Sequence, residues 1–295
     1  MSIATAQYKL RQKIKDNRFS IDQLDHYNLL LQAGEREFQL IVVDSKSHRC
    51  LLLEHYDLFG TETEESYLNT LENLFRDHHL LMAGFWNGVK LSVKNQKFCL
   101  VPASLFDKEK VGSYLRLNCQ IDEGNDRLFH YKHVKNSAVT VFAANARLID
   151  WLFQRYPNLG IKVIHHTSAL SEGLLQYNEL SKQHDIFLLL ENNMLSIVAV
   201  NDHKLEFCNL FNCRNEQDFV RYTMLVFQQL KLDRNQTKTV LLGNIDSNSS
   251  WFAALYPYIR NLSFGSRPKF INFNYMFDEV PDHRFFDLYS IYVCE

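Results

Sequence analysis

Hydrophobic positions along the chain follow a period of two, then 3.6, and the sequence of periods is repeated. Three closely spaced apolar runs, Tyr27 to Ala33, Glu37 to Asp44 and Cys50 to Leu58, read as strands. The linkers between them, Gly34-Glu35-Arg36 and Ser45-Lys46-Ser47-His48, are short and polar, as hairpins require. The outer two runs each contain three consecutive leucines, which predicts strands covered on both faces. The period then lengthens. Tyr67, Leu68, Leu71, Leu74 and Phe75 form one helical stripe, and Thr61 with Glu64 has capping-box spacing. Residues 1–26 are polar, with one short element expected near Ile21 to Leu24.

Residues 84–135 change character. Val89 to Val93 and Lys97 to Val101 read as a hairpin turning at Asn95-Gln96, closed by Pro102. A short helix over Asp107 to Leu115 and a strand over Arg127 to Val134 complete a compact β-rich insertion. The regular rhythm resumes with a strand at Ala138 to Ala143. Asn145 caps a helix carrying Leu148, Ile149, Leu152 and Phe153, stopped by Pro157. A strand at Gly160 to His165 and a helix capped by Thr167 or Ser168, running through Leu170, Leu174, Leu175 and Leu180, close the first half.

From Asp185 the plan repeats: strands at Ile186–Leu190, Leu195–Val200 and Lys204–Phe211, then a helix capped by Asn215 with Phe219, Tyr222, Val226, Phe227 and Leu230. A strand at Thr239 to Leu242, a helix from Ser247 with Trp251, Phe252 and Leu255, and a strand at Lys269 to Phe273 follow. The tail from Arg284 to Cys294 fits a helix or a strand. Two copies of β-β-β-α-β-α-β predict an α/β protein with two mixed sheets, one lobe over 1–183 and one over 184–295.

Composition narrows the chemistry. A chain of 295 residues is long enough for two packed halves, and 46% hydrophobic with 22% charged residues excludes disorder. Only 10 glycines are present, which restricts phosphate-cradling loops. The net charge of −2 gives no general pull toward nucleic acid or acidic lipid, so a nucleic-acid partner is not expected. The locally basic Lys9, Arg11, Lys13, Lys15 and Arg18 read as a solvated lead-in. Six scattered cysteines without a C-x-x-C read as reduced thiols. No signal core or spanning run is evident, and a cytoplasmic location is expected.

Four strand-end acids, Asp44, Glu54, Glu191 and Asp246, invite a two-metal reading, but acids at such positions are ordinarily turn residues. His78-His79 sits where imidazolium meets a helix C-terminus. His165-His166 and His130/His133 are spaced to face opposite ways on strands, so no metal site is expected. Nucleophile-elbow, P-loop and dinucleotide motifs are absent. The aromatic tracts Trp251 to Tyr258 and Phe270 to Phe277 could stack bases only with basic neighbours, for which Arg267 and Lys269 are thin support. They read as core or as a protein-binding surface.

This doubled order of elements with a β-rich insertion in the first half resembles the actin-like ATPase (ribonuclease H-like) superfamily. It is similar in architecture to the assembly proteins of type IV pilus and type II secretion systems, and to an uncharacterised bacterial family of that fold. The insertion resembles theirs in its strand ending at Val101-Pro102 and its Asp107-Lys108-Glu109-Lys110 helix. The resemblance implies ATP with magnesium held by Asp-x-Gly-type turns and an adenosine-side Gly-Gly pair. Here the first turn, Gln32-Ala33-Gly34, keeps a glycine and replaces the acid. The second, Glu191-Asn192-Asn193, keeps an acid and loses the glycine, and the pair reads Gly243-Asn244. If a nucleotide binds, Gln32, Gly34, Glu191, Asn192, Asn193, Gly243 and Asn244 are the contacts the resemblance implies. With no turn complete, the expectation is a degenerate actin-like scaffold with a protein partner. The alternative is an ATPase or phosphotransferase using the inter-lobe cleft, with Glu191 as the metal-directed acid.

Overall fold

The computed structural model describes residues 7–177 and 182–295; Leu180 lies outside them. The chain begins with β1 (Tyr8–Lys15), β2 (Tyr27–Ala33), β3 (Glu37–Asp44), β4 (Arg49–Leu58), α1 (Glu64–Asp77) and β5 (Gly88–Val93). Next come β6 (Phe98–Pro102), α2 (Val111–Arg116), β7 (Asp126–Lys132) and β8 (Ala138–Asn145). The first half ends with α3 (Ala146–Arg155), β9 (Lys162–His165) and α4 (His166–Leu174). The second half holds β10 (Asp185–Glu191), β11 (Met194–Asn201), β12 (Lys204–Asn212) and α5 (Glu216–Gln229). It closes with β13 (Lys238–Gly243), α6 (Ser250–Leu255), β14 (Leu262–Phe264) and α7 (Phe286–Ser290).

The duplication is visible in strand order. One sheet runs β1-β4-β3-β2-β5-β9 and the other β12-β11-β10-β13-β14. In each, three antiparallel strands (β4-β3-β2 and β12-β11-β10) are followed by two parallel neighbours, and β1 adds a further antiparallel strand at the edge of the first sheet. A third sheet, β6-β8-β7, is hydrogen-bonded to neither but packs Phe98, Tyr131 and Phe142 into the main core.

Several expectations are corrected. Val89 to Val101 is not a hairpin: β5 pairs in parallel with β2 and β9, while β6 pairs with β8. The parallel pairings win because they bury Val89, Leu91 and Val93 in the main core. β8, read as the return of the regular rhythm, lies in the small sheet. Lys269 to Phe273 forms no strand beyond a bridge of Asn272 to Arg49, and β14 takes the place beside β13. α1 is capped by Thr63 with Ser66, and the Thr61 hydroxyl instead donates to the Glu35 carbonyl. α4 starts directly from β9 with His165 as its cap. The polar N-terminal segment contains β1, which covers the open edge of β4 and buries only Ile14 fully among its apolar residues. Three of the strand's four cations are engaged there: Arg11 lies 3.2 Å from Asp57, Lys13 lies 2.7 Å from Glu54, and the Lys15 ammonium sits over the Phe19 ring.

α4 and α7 are buried along their whole length and pack against each other between the two large sheets. Gly173 makes this possible: a Cβ there would lie 1.9 Å from Ser290 Oγ and 2.6 Å from Ser290 Cβ. Gly173→Ala is expected to destabilise the protein by roughly 1–3 kcal/mol, with Ser290→Gly restoring much of the loss, measured by urea unfolding. A neutral Gly173→Ala would show that the helices are free to separate.

Candidate functional site

Parallel pairing puts the ends of β2 and β5 on one edge, and the ends of β10 and β13 on another. The two edges meet. Ala33 ends β2, and Gly34 donates its N–H to the Glu37 carbonyl at 3.0 Å to close the β2–β3 turn. Glu191 ends β10 opposite Met194, with Asn192 and Asn193 both left-handed (φ 47° and 64°) between them. Asparagine tolerates that backbone and makes a tight two-residue hairpin turn. The Asn192 amide donates across to Glu37 Oε2 at 2.7 Å, joining the two turns.

At the junction sits Lys94, the residue after β5. Its backbone N–H donates to the Ala33 carbonyl, and its side chain is buried among three acids. The ammonium lies 2.8 Å from Glu37 Oε1 and 3.7 Å from Asp287 Oδ2, and forms a close charged contact with Glu191 Oε2. Gln32 is fully buried and donates to the same Asp287 oxygen at 2.7 Å. His55 reaches Glu37 at 3.4 Å from β4. Glu37 and Lys94 come from the first half of the chain, while Glu191 and Asp287 come from the second.

The charges follow from this packing. Burial opposes the charge on Lys94, but the Glu191, Glu37 and Asp287 carboxyls outweigh it and hold the ammonium well above its ordinary pKa. Burial would also raise Glu37, yet Lys94 and His55 hold it below the usual carboxylate range. Glu191 goes the other way: burial, followed by its acidic neighbours, pushes it up to about 7 against the pull of Lys94. One ammonium does not balance three buried carboxylates, so the cluster as a whole holds a proton more readily than free carboxylates would.

The arrangement fits magnesium-ATP poorly. A divalent ion needs about six oxygen ligands, and the point on which the carboxylates converge is filled by the Lys94 ammonium, which would repel a second cation. No group of three or more His, Cys, Asp or Glu residues suited to a metal occurs among the described residues. The turn amides are also committed. Gly34 N–H serves its own hairpin, Gly243 N–H donates to the His283 carbonyl at 2.9 Å, and Asn244 N–H donates to the Leu190 carbonyl at 2.8 Å. Gly243 (φ 87°) is needed because a Cβ would lie 2.4 Å from the Leu190 carbonyl oxygen. Space itself is not limiting: a hollow of about 460 Å³, lined by Gly34, Lys94, Asn192 and Asn193, opens above the cluster.

All seven residues singled out in the sequence lie at this end of the two sheets. Gln32, Glu191 and Asn192 join the Lys94 network directly, Gly34 and Asn193 line the hollow, and Gly243 packs against Glu191. Sequence reasoning missed Glu37, His55, Lys94 and Asp287. One signal was present: Asp287 is a lone acid in the run Phe285-Phe286-Asp287-Leu288-Tyr289, where a charge needs a buried partner. The other strand-end acids have local roles. Glu54 is bound by Lys13, Tyr56 and His78, Asp44 receives Ser47 and Lys46, and Asp246 receives the Asn248 N–H.

The doubled sheets, the insertion and the paired turns at the cleft define an actin-like ATPase fold. The family model for a protein of unknown function, DUF3822, matches residues 16–262, and the chain belongs to that family. A Bacteroides thetaiotaomicron protein with actin-like ATPase fold and unknown function is similar at a TM-score of 0.79 and 17% identity, over 95% of this chain and 100% of that one. The PilM–PilN type IV pilus biogenesis complex contains a chain similar at 0.59 and 12% identity, over 90% and 97%. The ethanolamine utilization protein EutJ from Carboxydothermus hydrogenoformans is similar at 0.51 and 7% identity, over 96% and 93%. No curated protein matches the sequence. At these identities the structural likenesses establish the fold.

Proposed function

We propose that this chain is a cytoplasmic scaffold that holds a protein partner and does not hydrolyse nucleotide. The seating of Lys94 among Glu37, Glu191 and Asp287 carries the reading. A side chain supplies the positive charge that an actin-like ATPase would take from a metal, so the two halves are tied together without a ligand. In this role Gln32, Glu191 and Asn192 tie the two halves together, Gly34, Asn193, Gly243 and Asn244 shape the turns beside them, and none of the seven is a nucleotide contact. The resemblance to a chain of the PilM–PilN complex supports a protein partner. The cytoplasmic assignment is supported by six unpaired cysteines and by the lack of any helix, among the described residues, long and apolar enough to cross a membrane.

Purified protein incubated with magnesium-ATP is expected to release phosphate no faster than buffer. A partner retained from host lysate is expected to stay bound with or without the nucleotide. Steady phosphate release that Glu191→Ala abolishes would sink the proposal and restore Glu191 as a metal-directed acid.

A further inference from the structure

The aromatic tract Trp251 to Tyr258 is followed in sequence by one basic residue, Arg260, and the fold brings a second, Arg234, beside it. The loop after α5 and the loop after α6 meet where the Arg260 N–H donates to the Arg234 carbonyl at 3.1 Å. Between them lies a hollow of about 400 Å³ lined by Arg234, Asn235, Tyr256, Pro257, Tyr258 and Arg260. The loops precede β13 and β14, so the hollow stands at the opposite end of the second sheet from the Lys94 cluster.

This surface is built and unspent. Leu255 and Ile259 are buried and anchor the second loop, and the Tyr256 ring leans on Phe252 at 5.3 Å. The tyrosines nevertheless remain exposed, Tyr256 at 61% and Tyr258 at 45%. Both arginines are exposed, and neither guanidinium has a hydrogen-bond or ion-pair partner among the described residues. On this chain, with a net charge of −2, two unpaired guanidinium forks beside two tyrosine faces are a local exception. Guanidiniums pair with carboxylates in bidentate fashion, and exposed Tyr and Arg together are the residue types that dominate protein-binding surfaces.

We infer that this hollow binds an extended acidic segment of a protein partner, its carboxylates on Arg234 and Arg260 and its apolar atoms on Tyr256, Pro257 and Tyr258. A single-stranded nucleic acid is the weaker occupant, because a backbone-tracking groove needs a run of cations and this hollow offers two. The inference rests on the scaffold reading, to which it adds a binding surface and the chemistry of the partner.

The test is fluorescence anisotropy of the full chain with a fluorescein-labelled decapeptide of alternating glutamate and proline, whose extended form suits an aromatic-lined surface. Saturable binding is expected, weakened about tenfold or more by high salt and by the Arg234→Glu, Arg260→Glu double variant. The milder Arg234→Gln, Arg260→Gln pair should weaken it less, and both variants should melt like the wild type because the side chains are exposed. Absence of binding, or equal binding by the charge-reversed variant, would overturn the inference, as would tighter binding of an oligo-dT of matching length. Magnesium-ATP is added to the same samples. Stabilisation by it would sink the scaffold reading alone, whereas lost peptide binding without a nucleotide effect would sink only the hollow.

Discussion

Lys94→Ala is expected to lower the unfolding free energy by about 3–5 kcal/mol, the usual cost of leaving buried charges without their partner. Glu37, Glu191 and Asp287 would face one another with no cation between them. Two companion measurements separate this electrostatic effect from simple loss of packing. Adding Glu191→Gln to Lys94→Ala removes one carboxylate and should recover part of the loss, while Lys94→Met, which keeps the side chain's bulk, should not. Millimolar magnesium or manganese should also stabilise Lys94→Ala and leave the wild type unmoved, since the variant frees an acidic cluster of the kind hard cations bind. A Lys94→Ala protein as stable as the wild type in urea would remove the cluster from the account of how the lobes are held.

Acid should unfold the protein earlier than its carboxylates alone would dictate. His165 and His166 are fully buried where β9 runs into α4. Burial and the neighbouring His166 push His165 well below the ordinary value, and burial and Lys94 push His166 down to about 3. The unfolded chain takes up these protons near pH 6.5 while the folded chain refuses them. Stability is therefore lost as pH falls below the unfolded value, at about 1.4 kcal/mol per pH unit for each histidine. Glu191 acts in the opposite sense. Its raised value of about 7 means the folded chain binds that proton first, so its contribution is lost as pH rises through neutrality. Between pH 6.5 and 4.5 the two histidines outweigh the single carboxyl, and stability falls on balance. Below that window Glu191 no longer compensates, and the depressed Glu37 and Glu54 carboxyls add to the loss. A His165→Gln, His166→Asn variant, followed by urea unfolding across this range, should show a flatter or reversed slope. An unchanged slope would place the acid sensitivity elsewhere.

Hydrophobic period made most of the architecture legible. The leucine runs of β2, β4 and β10 are covered on both faces, and the alternation of strands with capped helices exposed the duplication. What stayed hidden has specific causes. β1 is an edge strand with one solvated face, so its polar residues carry no burial signal. β5 and β6 look like a hairpin because strand period says nothing about which partner a strand will choose. The site was half legible for the same reason. Gln32, Glu191 and Asn192 stand at turns that a repeated plan marks out. Lys94 and Asp287 acquire meaning only once β5 is parallel to β2 and α7 folds back between the two large sheets, 193 residues apart in sequence yet 3.7 Å apart in space. Glycine illustrates the same gap. Gly34 suggested an open phosphate turn, whereas its N–H is committed to the hairpin, and Gly243 is retained for close packing.

The most direct test is the melting temperature of the wild-type protein with and without millimolar magnesium-ATP. A ligand present at about 100 times its dissociation constant stabilises the state it binds by about 2.7 kcal/mol, a shift of several degrees. With Lys94 as the resident cation, the wild-type melting temperature is expected to stay where it is in buffer. A rise of several degrees with magnesium-ATP would show that the cleft accepts a metal-bound nucleotide despite Lys94, and would contradict the proposal.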